Sequence, residues 1–379
     1  MVSKSPIRVM QVIARMNVGG PAVLVTDLMR NFDPGLVNAV LVTGYCDENE
    51  VDYLDQVAKD VVAIRLPGLG RSISIVKDLN AFCLLIKEIR RFKPNVIHTH
   101  TAKAGVLGRL AGLIAAPQAK RVHTFHGHLL QGYFGVGKTR IVVIVETFLA
   151  RKTHRLVAIG NKVKKDLLEV GIGNESQYEV IFPGLQPLAI QSILEARKSL
   201  NLNLETTYLV FVGRLTQIKR PDRLVDIARS LKRDRINAQL LVAGAGELFE
   251  LTKNLAEAEE LPMNFLGWRN DIGLILSASD IAILCSDNEG IPLTLIQAAQ
   301  AGLPIVSTDV GSISDIVIND ETGLLTELSS EALFDAITKL LADPTLAVKL
   351  GKSGQERAKN YFTSEAMVKH HERLYSQLL

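Results

Sequence analysis

The stretch Ser286-Asp287-Asn288-Glu289-Gly290-Ile291-Pro292-Leu293-Thr294 places a carboxylate at the opening of a predicted helix. The apolar run before it, Ile281 to Cys285, reads as a buried strand. Pro292 falls where a first helical residue belongs, since its missing N–H would go unpaired there anyway. Gly302 and Pro304 end the helix, and Ile305-Val306 begin another strand. A strand, a glycine turn and a helix start set free backbone N–H groups and a positive dipole end beside Glu289. Such an arrangement suits a phosphate that carries something rich in hydroxyls.

Other stretches have the same build. Phe211-Val212-Gly213-Arg214-Leu215 runs from a strand into a turn, and Lys219 follows five residues after Arg214. Arg supplies a bidentate fork and Lys a point charge, so the two together can neutralise a diphosphate. Val242-Ala243-Gly244-Ala245-Gly246-Glu247 is a strand, a glycine turn and a helix start. It lacks the third glycine of a dinucleotide fingerprint and opens the second half of the chain, which disfavours a dehydrogenase. Near the N-terminus, Asn17-Val18-Gly19-Gly20-Pro21 joins the strand-like run from Ile7 to Ala14 to a helical pattern from Ala22 to Phe32. Its glycines allow a close backbone approach to a ligand.

Five of the eight histidines form two clusters, His98 with His100, and His123 with His126 and His128. Residues two apart on a strand share a face but do not close a tetrahedral metal site, and no Cys, Asp or Glu lies close by in sequence, so metal is disfavoured. His98 and His123 are expected to be satisfied core residues. No G-x-S-x-G elbow is present. The run from Gly132 to Thr139 matches a Walker A loop literally, but His126 to Gln131 separate it from the preceding strand and no Walker B strand is evident nearby, which disfavours an ATPase.

The Glu289 stretch resembles the donor-site signature of retaining glycosyltransferases with the GT-B fold, the group 1 or family 4 type. That signature is a Glu, seven intervening residues and a second Glu; Glu289 matches the first, and Gln297 stands at the second. The resemblance covers nearly the whole chain. It implies an α/β protein of two Rossmann-like, doubly wound parallel-sheet domains facing across a cleft. It implies metal-independent, retaining transfer from a nucleotide-diphosphate sugar, most commonly a uridine one in the family, with no cofactor. Glu289 would hold the donor sugar, Arg214 and Lys219 the diphosphate, and the segment around Arg269 the base. Gly213, Gly244, Gly290, Ile291, Pro292, Leu293, Thr294 and Gln297 would complete the donor site. His126 resembles the active-site histidine facing the donor sugar, and Gly19, Gly20 and His100 fall on the acceptor side. The alternative is a non-catalytic nucleotide-sugar-binding protein on the same fold, favoured by Gln297 alone. A two-Rossmann epimerase fits the Glu289 placement less well.

The elements that must position these groups alternate strand and helix along the chain, which predicts doubly wound parallel sheets. The length of 379 residues fits two domains. The expected boundaries are 1–185, 186–360 and a C-terminal helix 361–379 packing back on the first domain, with Pro183 to Pro187 as linker. A 47% hydrophobic and 22% charged composition describes a globular protein, and a net charge of +3 gives no reason to invoke nucleic acid. Cys46, Cys83 and Cys285 are odd in number and far apart, which points to a reducing compartment; Cys83 and Cys285 lie in apolar runs and are expected to be buried. No signal peptide or membrane-spanning run is read, so the expectation is a cytoplasmic protein. The basic stretch from Lys120 to Lys165, interleaved with Leu129, Leu130, Tyr133, Phe134 and Val136, suits peripheral contact with anionic membrane on the cytoplasmic face. The acceptor class implied is a glycan or a polyprenyl-linked intermediate.

Overall fold

The computed structural model describes residues 5–48, 50–127 and 136–379. His128, Leu129, Leu130, Tyr133, Phe134 and the first half of the Walker-like run lie outside the described residues, as do the Val136 and Lys138 side chains.

The chain divides into two compact units. One is Met1–Gly184 with Ser364–Leu379, and the other is Leu185–Thr363. The first holds seven strands: β1 (Ile7–Ile13), β2 (Val37–Thr43), β3 (Ala63–Arg65), β4 (Val96–His100), β5 (Lys120–Phe125), β6 (Arg155–Ala158) and β7 (Tyr178–Val180), in the order β3-β2-β1-β4-β5-β6-β7. The second holds β8 (Thr207–Val212), β9 (Ala238–Ala243), β10 (Met263–Gly267), β11 (Ile281–Leu284), β12 (Ile305–Thr308) and β13 (Leu324–Thr326), in the order β10-β9-β8-β11-β12-β13. Every pairing is parallel. Both faces of such sheets are covered by helices, so central strands such as Met10–Ile13 and Tyr208–Phe211 are continuously buried rather than alternating. Each sheet reverses direction once, between β1 and β4 and between β8 and β11. Ligands bind at the carboxyl ends of strands at such a switch point.

Three glycines on one stripe seat the helix Ala102–Ala115 on the first sheet. A methyl group at Gly105 would meet the His123 ring at 2.6 Å, one at Gly108 would meet Thr99 at 2.6 Å, and one at Gly112 would meet Ile97 at 2.8 Å. On the opposite face lie Gly20–Asn31 and the last helix, Ser364–Leu378. These two are joined by a Ser364–Asp27 hydrogen bond, by Asp33 N–H donating to Glu372 at 2.7 Å, and by the Phe32 and Tyr375 rings at 6.0 Å.

Three expectations need correction. Cys83 is exposed, because Ile75–Phe92 turns Ala81, Leu85 and Ile89 inward and leaves Cys83 on its outer face. Pro292 is the residue before its helix, which begins at Leu293; its ψ of 115° is extended backbone. The edge strand β13 and the helices Ser330–Ala342 and Pro344–Tyr361 are additional to the elements read from sequence.

Gly108→Ala is expected to force the helix off Thr99, an overpacking change of about 1–3 kcal/mol. The denaturant midpoint of the parent and the variant checks this; an unchanged midpoint would show that the helix has room to move.

Candidate functional site

In the second unit, Glu289 and Lys219 are 70 residues apart in sequence and form an ion pair at the carboxyl ends of the adjacent strands β11 and β8. The Glu289 side chain is only 9% exposed. Its Oε1 accepts both from Lys219 Nζ and from Ser286 Oγ, the latter at 2.6 Å.

The two loops carrying them are stitched together. Asp287 N–H donates to Ile218 O at 2.9 Å, and buried Cys285 donates its S–H to Lys219 O at 3.2 Å. Arg223 donates to Cys285 O at 2.7 Å and pairs with Asp287 at 2.8 Å. Arg220 takes a left-handed conformation, φ 51°, and holds Asp222 and Asp287. Burial raises the Cys285 thiol to about 12, so it stays protonated and packs as a weak donor.

Gly311 closes the other side. Its φ is 55°, and a side chain there would sit 1.7 Å from Glu289 O, so only glycine fits. Ser312 N–H donates to Gly290 O at 3.1 Å. The helix Leu293–Gln300 has no side-chain cap; Leu295 N–H donates to Pro292 O at 3.0 Å, which leaves the amides of Leu293 and Thr294 at its start. Ile291 and Pro292 are buried, while Leu293, Thr294 and Gln297 share the half-buried face of that helix.

Beside these loops, Gly213 and Gly244 let the turns after β8 and β9 touch backbone to backbone: a methyl group on Gly244 would lie 1.8 Å from Gly213 O. The Arg214 side chain is exposed and has no ion pair among the described residues. Arg269 is engaged by Asp271 at 2.7 Å. The geometry therefore joins Lys219, Glu289 and Gly290 directly and leaves Arg214 open to solvent.

In the first unit, His100 and His126 stand at the ends of β4 and β5. His126 Nε2 lies 2.8 Å from His100 Nδ1, and His100 Nε2 lies 2.8 Å from Gln11 Oε1. His98 contacts Tyr375 Oη and Thr124 Oγ1, both at 2.7 Å, and His123 contacts Thr99 at 2.8 Å on the other face of the sheet. His98 and His123 are thus partnered core residues. Burial holds His98, His100 and His123 well below the usual 6.5, lowers His126 to about 3 and lowers His371 to about 4. All five are neutral at pH 7.

His126 Nδ1 is inaccessible and has no hydrogen-bond partner among the described residues. Thr101, directly after His100, has φ 65° and ψ 157°, a conformation that costs a β-branched residue about 1–3 kcal/mol. Gly19 caps the helix Gly20–Asn31 without a side chain, and a Cβ there would make only an ordinary contact, with Asn17 O at 3.9 Å. Among the described residues no group of three or more His, Cys, Asp or Glu is placed to hold a metal ion.

Sequence reasoning missed Ser286, Gly311, Gln11, Tyr375 and Thr101. Gly311 was readable as a glycine just beyond a strand; Gln11 and Tyr375 carried no signal.

The fold is shared with solved structures. The chain resembles HepE of Anabaena in complex with UDP and glucose, with a TM-score of 0.81 at 19% identity, covering 98% of this chain and 100% of that one. It also resembles sucrose-phosphate synthase of Thermosynechococcus elongatus, with a TM-score of 0.80 at 22% identity, covering 98% and 99%. Two parallel doubly wound sheets with site residues at their switch points, and these likenesses, define a GT-B fold.

Family models narrow the class. Glycosyltransferase Family 4 matches residues 18–187 and Glycosyl transferases group 1 matches residues 192–357. The chain is 30% identical over 322 residues to the UDP-Gal:alpha-D-GlcNAc-diphosphoundecaprenol alpha-1,3-galactosyltransferase of Escherichia coli, covering 82% of each. It is 24% identical to the capsular polysaccharide biosynthesis glycosyltransferase CapM of Staphylococcus aureus, covering 88% of each. The chain belongs to the group 1 glycosyltransferases.

All eight histidines fall in the first unit and none in Leu185–Thr363. An unfolded histidine takes up a proton near ~6.5, whereas folded His371 and His126 stay neutral down to about 4 and about 3. The folded values lie below the unfolded ones, so the unfolded state binds more protons in that window. Stability is full above ~6.5 and is lost as pH falls from there. Hydrogen exchange, corrected for intrinsic rates, should therefore show the first sheet opening more readily at about pH 5 than at about pH 7.5, with the second sheet little changed. Equal loosening of both would place the acid-sensitive groups elsewhere.

Proposed function

We propose that this glycosyltransferase moves a sugar from a uridine-diphosphate sugar to a lipid-linked glycan acceptor, with retention at the anomeric carbon and without a metal. The observation that carries the reading is the Lys219–Glu289 pair at the β8–β11 switch point. A cation and a carboxylate meeting there suit a donor that is anionic at one end and hydroxyl-rich at the other. The relatives support the donor and acceptor: one is a UDP-Gal:alpha-D-GlcNAc-diphosphoundecaprenol galactosyltransferase, and one solved relative holds UDP and glucose.

In this reading Arg214 and Lys219 take the diphosphate, and the amides of Leu293 and Thr294 at the uncapped helix start add to that charge. Lys219 turns from Glu289 to the phosphate as donor enters, and Glu289 takes the sugar hydroxyls. Gln297 meets the ribose hydroxyls, accepting from one and donating to the other. Gly213, Gly244 and Gly290 allow close backbone approach, Ile291 and Pro292 back the turn, and the main chain around Arg269 meets the base. The bond from C1 to the departing phosphate oxygen breaks, the bond from C1 to the acceptor oxygen forms on the same face, and the acceptor proton passes to the departing phosphate. His126 faces the donor sugar, with Gly19, Gly20 and His100 on the acceptor side.

A lipid-linked acceptor calls for a membrane. No helix among the described residues is long and apolar enough to cross one. The helix Val136–Ala150 instead exposes Ile141 (63%), Ile144 (62%) and Phe148 (53%) near the exposed cations Arg140, Arg151 and Lys152. That face suits peripheral contact with anionic lipid on the cytoplasmic side.

Incubation with UDP-sugars and a polyprenyl-diphosphate-linked sugar, with product anomers assigned by NMR, tests the function. Transfer with an α-linked product from an α-linked donor is expected; a β-linked product overturns retention, and binding without transfer across a donor panel leaves the non-catalytic alternative. EDTA is expected to change little, and loss of activity restored by Mn²⁺ would overturn metal independence. Arg214→Ala and Lys219→Ala should each lower turnover by about two orders of magnitude; parent rates in the double variant would remove the diphosphate assignment. Gln297→Ala should weaken donor binding about tenfold, measured by titration calorimetry; undiminished affinity would place Gln297 off the ribose.

A further inference from the structure

We infer that Gln11 and Tyr375 are positioning residues that set the tautomer of His126 through an unbroken hydrogen-bond chain. The chain begins in β1 and ends on the helix Ser364–Leu378. It runs His126 Nε2 to His100 Nδ1 (2.8 Å), His100 Nε2 to Gln11 Oε1 (2.8 Å), Gln11 Nε2 to Tyr375 Oη (3.0 Å), Tyr375 Oη to His98 Nδ1 (2.7 Å) and His98 Nε2 to Thr124 Oγ1 (2.7 Å). His98, His100, Gln11, Thr124 and Tyr375 are all buried, so water does not offer substitute partners.

Each link dictates the next. A carboxamide oxygen only accepts, so His100 must carry its proton on Nε2. A neutral ring has one N–H, which leaves His100 Nδ1 as an acceptor, so the proton between the two rings belongs to His126 Nε2. His126 Nδ1 is therefore a bare lone pair, in keeping with its being buried without a hydrogen-bond partner among the described residues. In the other direction the Gln11 amide donates to the Tyr375 oxygen. The single phenolic proton then goes to His98 Nδ1, and His98 Nε2–H goes to Thr124 Oγ1. Only one end of the chain is left open, and it is the acceptor on His126.

The reverse assignment needs the Gln11 amide rotated by half a turn. Every proton in the chain then shifts by one place and His126 Nδ1–H becomes a buried donor with no partner among the described residues. Gln11 is thus the element that decides the direction, and Tyr375, whose hydroxyl can accept or donate, partners the amide in the observed orientation and carries its direction on to His98. The bond between Gln11 and Tyr375 spans 364 residues of sequence, so nothing local to β1 fixes that amide.

The kinetic consequence rests on the proposed donor-facing role of His126; the tautomer does not. With the lone pair inward, His126 accepts from a sugar hydroxyl. With N–H inward, it meets the same hydroxyl as a donor and the hydroxyl must turn.

The test is ¹⁵N NMR of protein labelled in histidine, with His126 assigned from the signals missing in His126→Asn. The parent is expected to show His126 as the Nε2–H form with Nδ1 unprotonated. Tyr375→Phe frees the amide, and the His126 and His100 signals should move toward a mixture of both forms. Gln11→Glu keeps an acceptor facing His100 and should retain the parent tautomer, whereas Gln11→Leu should lose it. An Nδ1–H His126 in the parent overturns the inference, as does a Tyr375→Phe spectrum with unchanged tautomers. Turnover is expected to fall about tenfold in Tyr375→Phe with little change in donor KM. Spectra as expected with parent turnover would uphold the chain and remove the donor-facing role of His126.

Discussion

A carboxylate nine-tenths removed from water must be answered by charge or by hydrogen bonds. Glu289 sets that requirement for the whole second unit. Its Oε1 takes an ammonium from one loop and a hydroxyl from its own turn, and each of those needs a scaffold. Arg223 supplies it by spending its guanidinium on Cys285 O, Leu328 O and Asp287, three points on the walls of the site. Gly311 completes it by being small enough to touch the Glu289 backbone. The sheet order brings the loops together, but these contacts fix where the two charges stand.

The first unit meets a similar demand without charge. Its clustered polar residues are imidazoles kept neutral by burial, tied to one another and to a glutamine, a threonine and a tyrosine. Neutral partners cost less to bury than ions. One unit thus presents fixed charge and the other fixed hydrogen-bond polarity. Thr101 adds stored backbone strain at the end of β4, beside the histidines rather than away from them.

The sequence made the parallel sheets legible because strands buried on both faces leave uninterrupted runs such as Ile281 to Cys285. Glu289, Lys219 and His126 were legible because they follow strands, where a switch point can use them. Cys83 misled because an apolar run on a helix has an outer face as well as an inner one. The strand Leu324–Thr326 is three residues on a sheet edge and leaves too short a pattern to read. Gly105, Gly108 and Gly112 are weak helix formers by type, and only Thr99, His123 and Ile97 beneath them show why the helix carries them. The partnership of Gln11 with Tyr375 could not be read at all, since hydrogen bonding across 364 residues leaves no periodicity and no motif.

The helix that supplies Tyr375 belongs to the first unit, yet the whole of Leu185–Thr363 precedes it in the chain. A ribosome therefore releases the seven-stranded sheet with one wall missing and must build a second unit before the wall arrives. At roughly 5–20 residues per second that interval lasts on the order of ten to forty seconds. During it, His98 and Gln11 lack the Tyr375 hydroxyl that both contact in the finished fold. The connectivity thus makes the first unit wait on the second: its sheet is synthesised long before the helix that partners those two side chains.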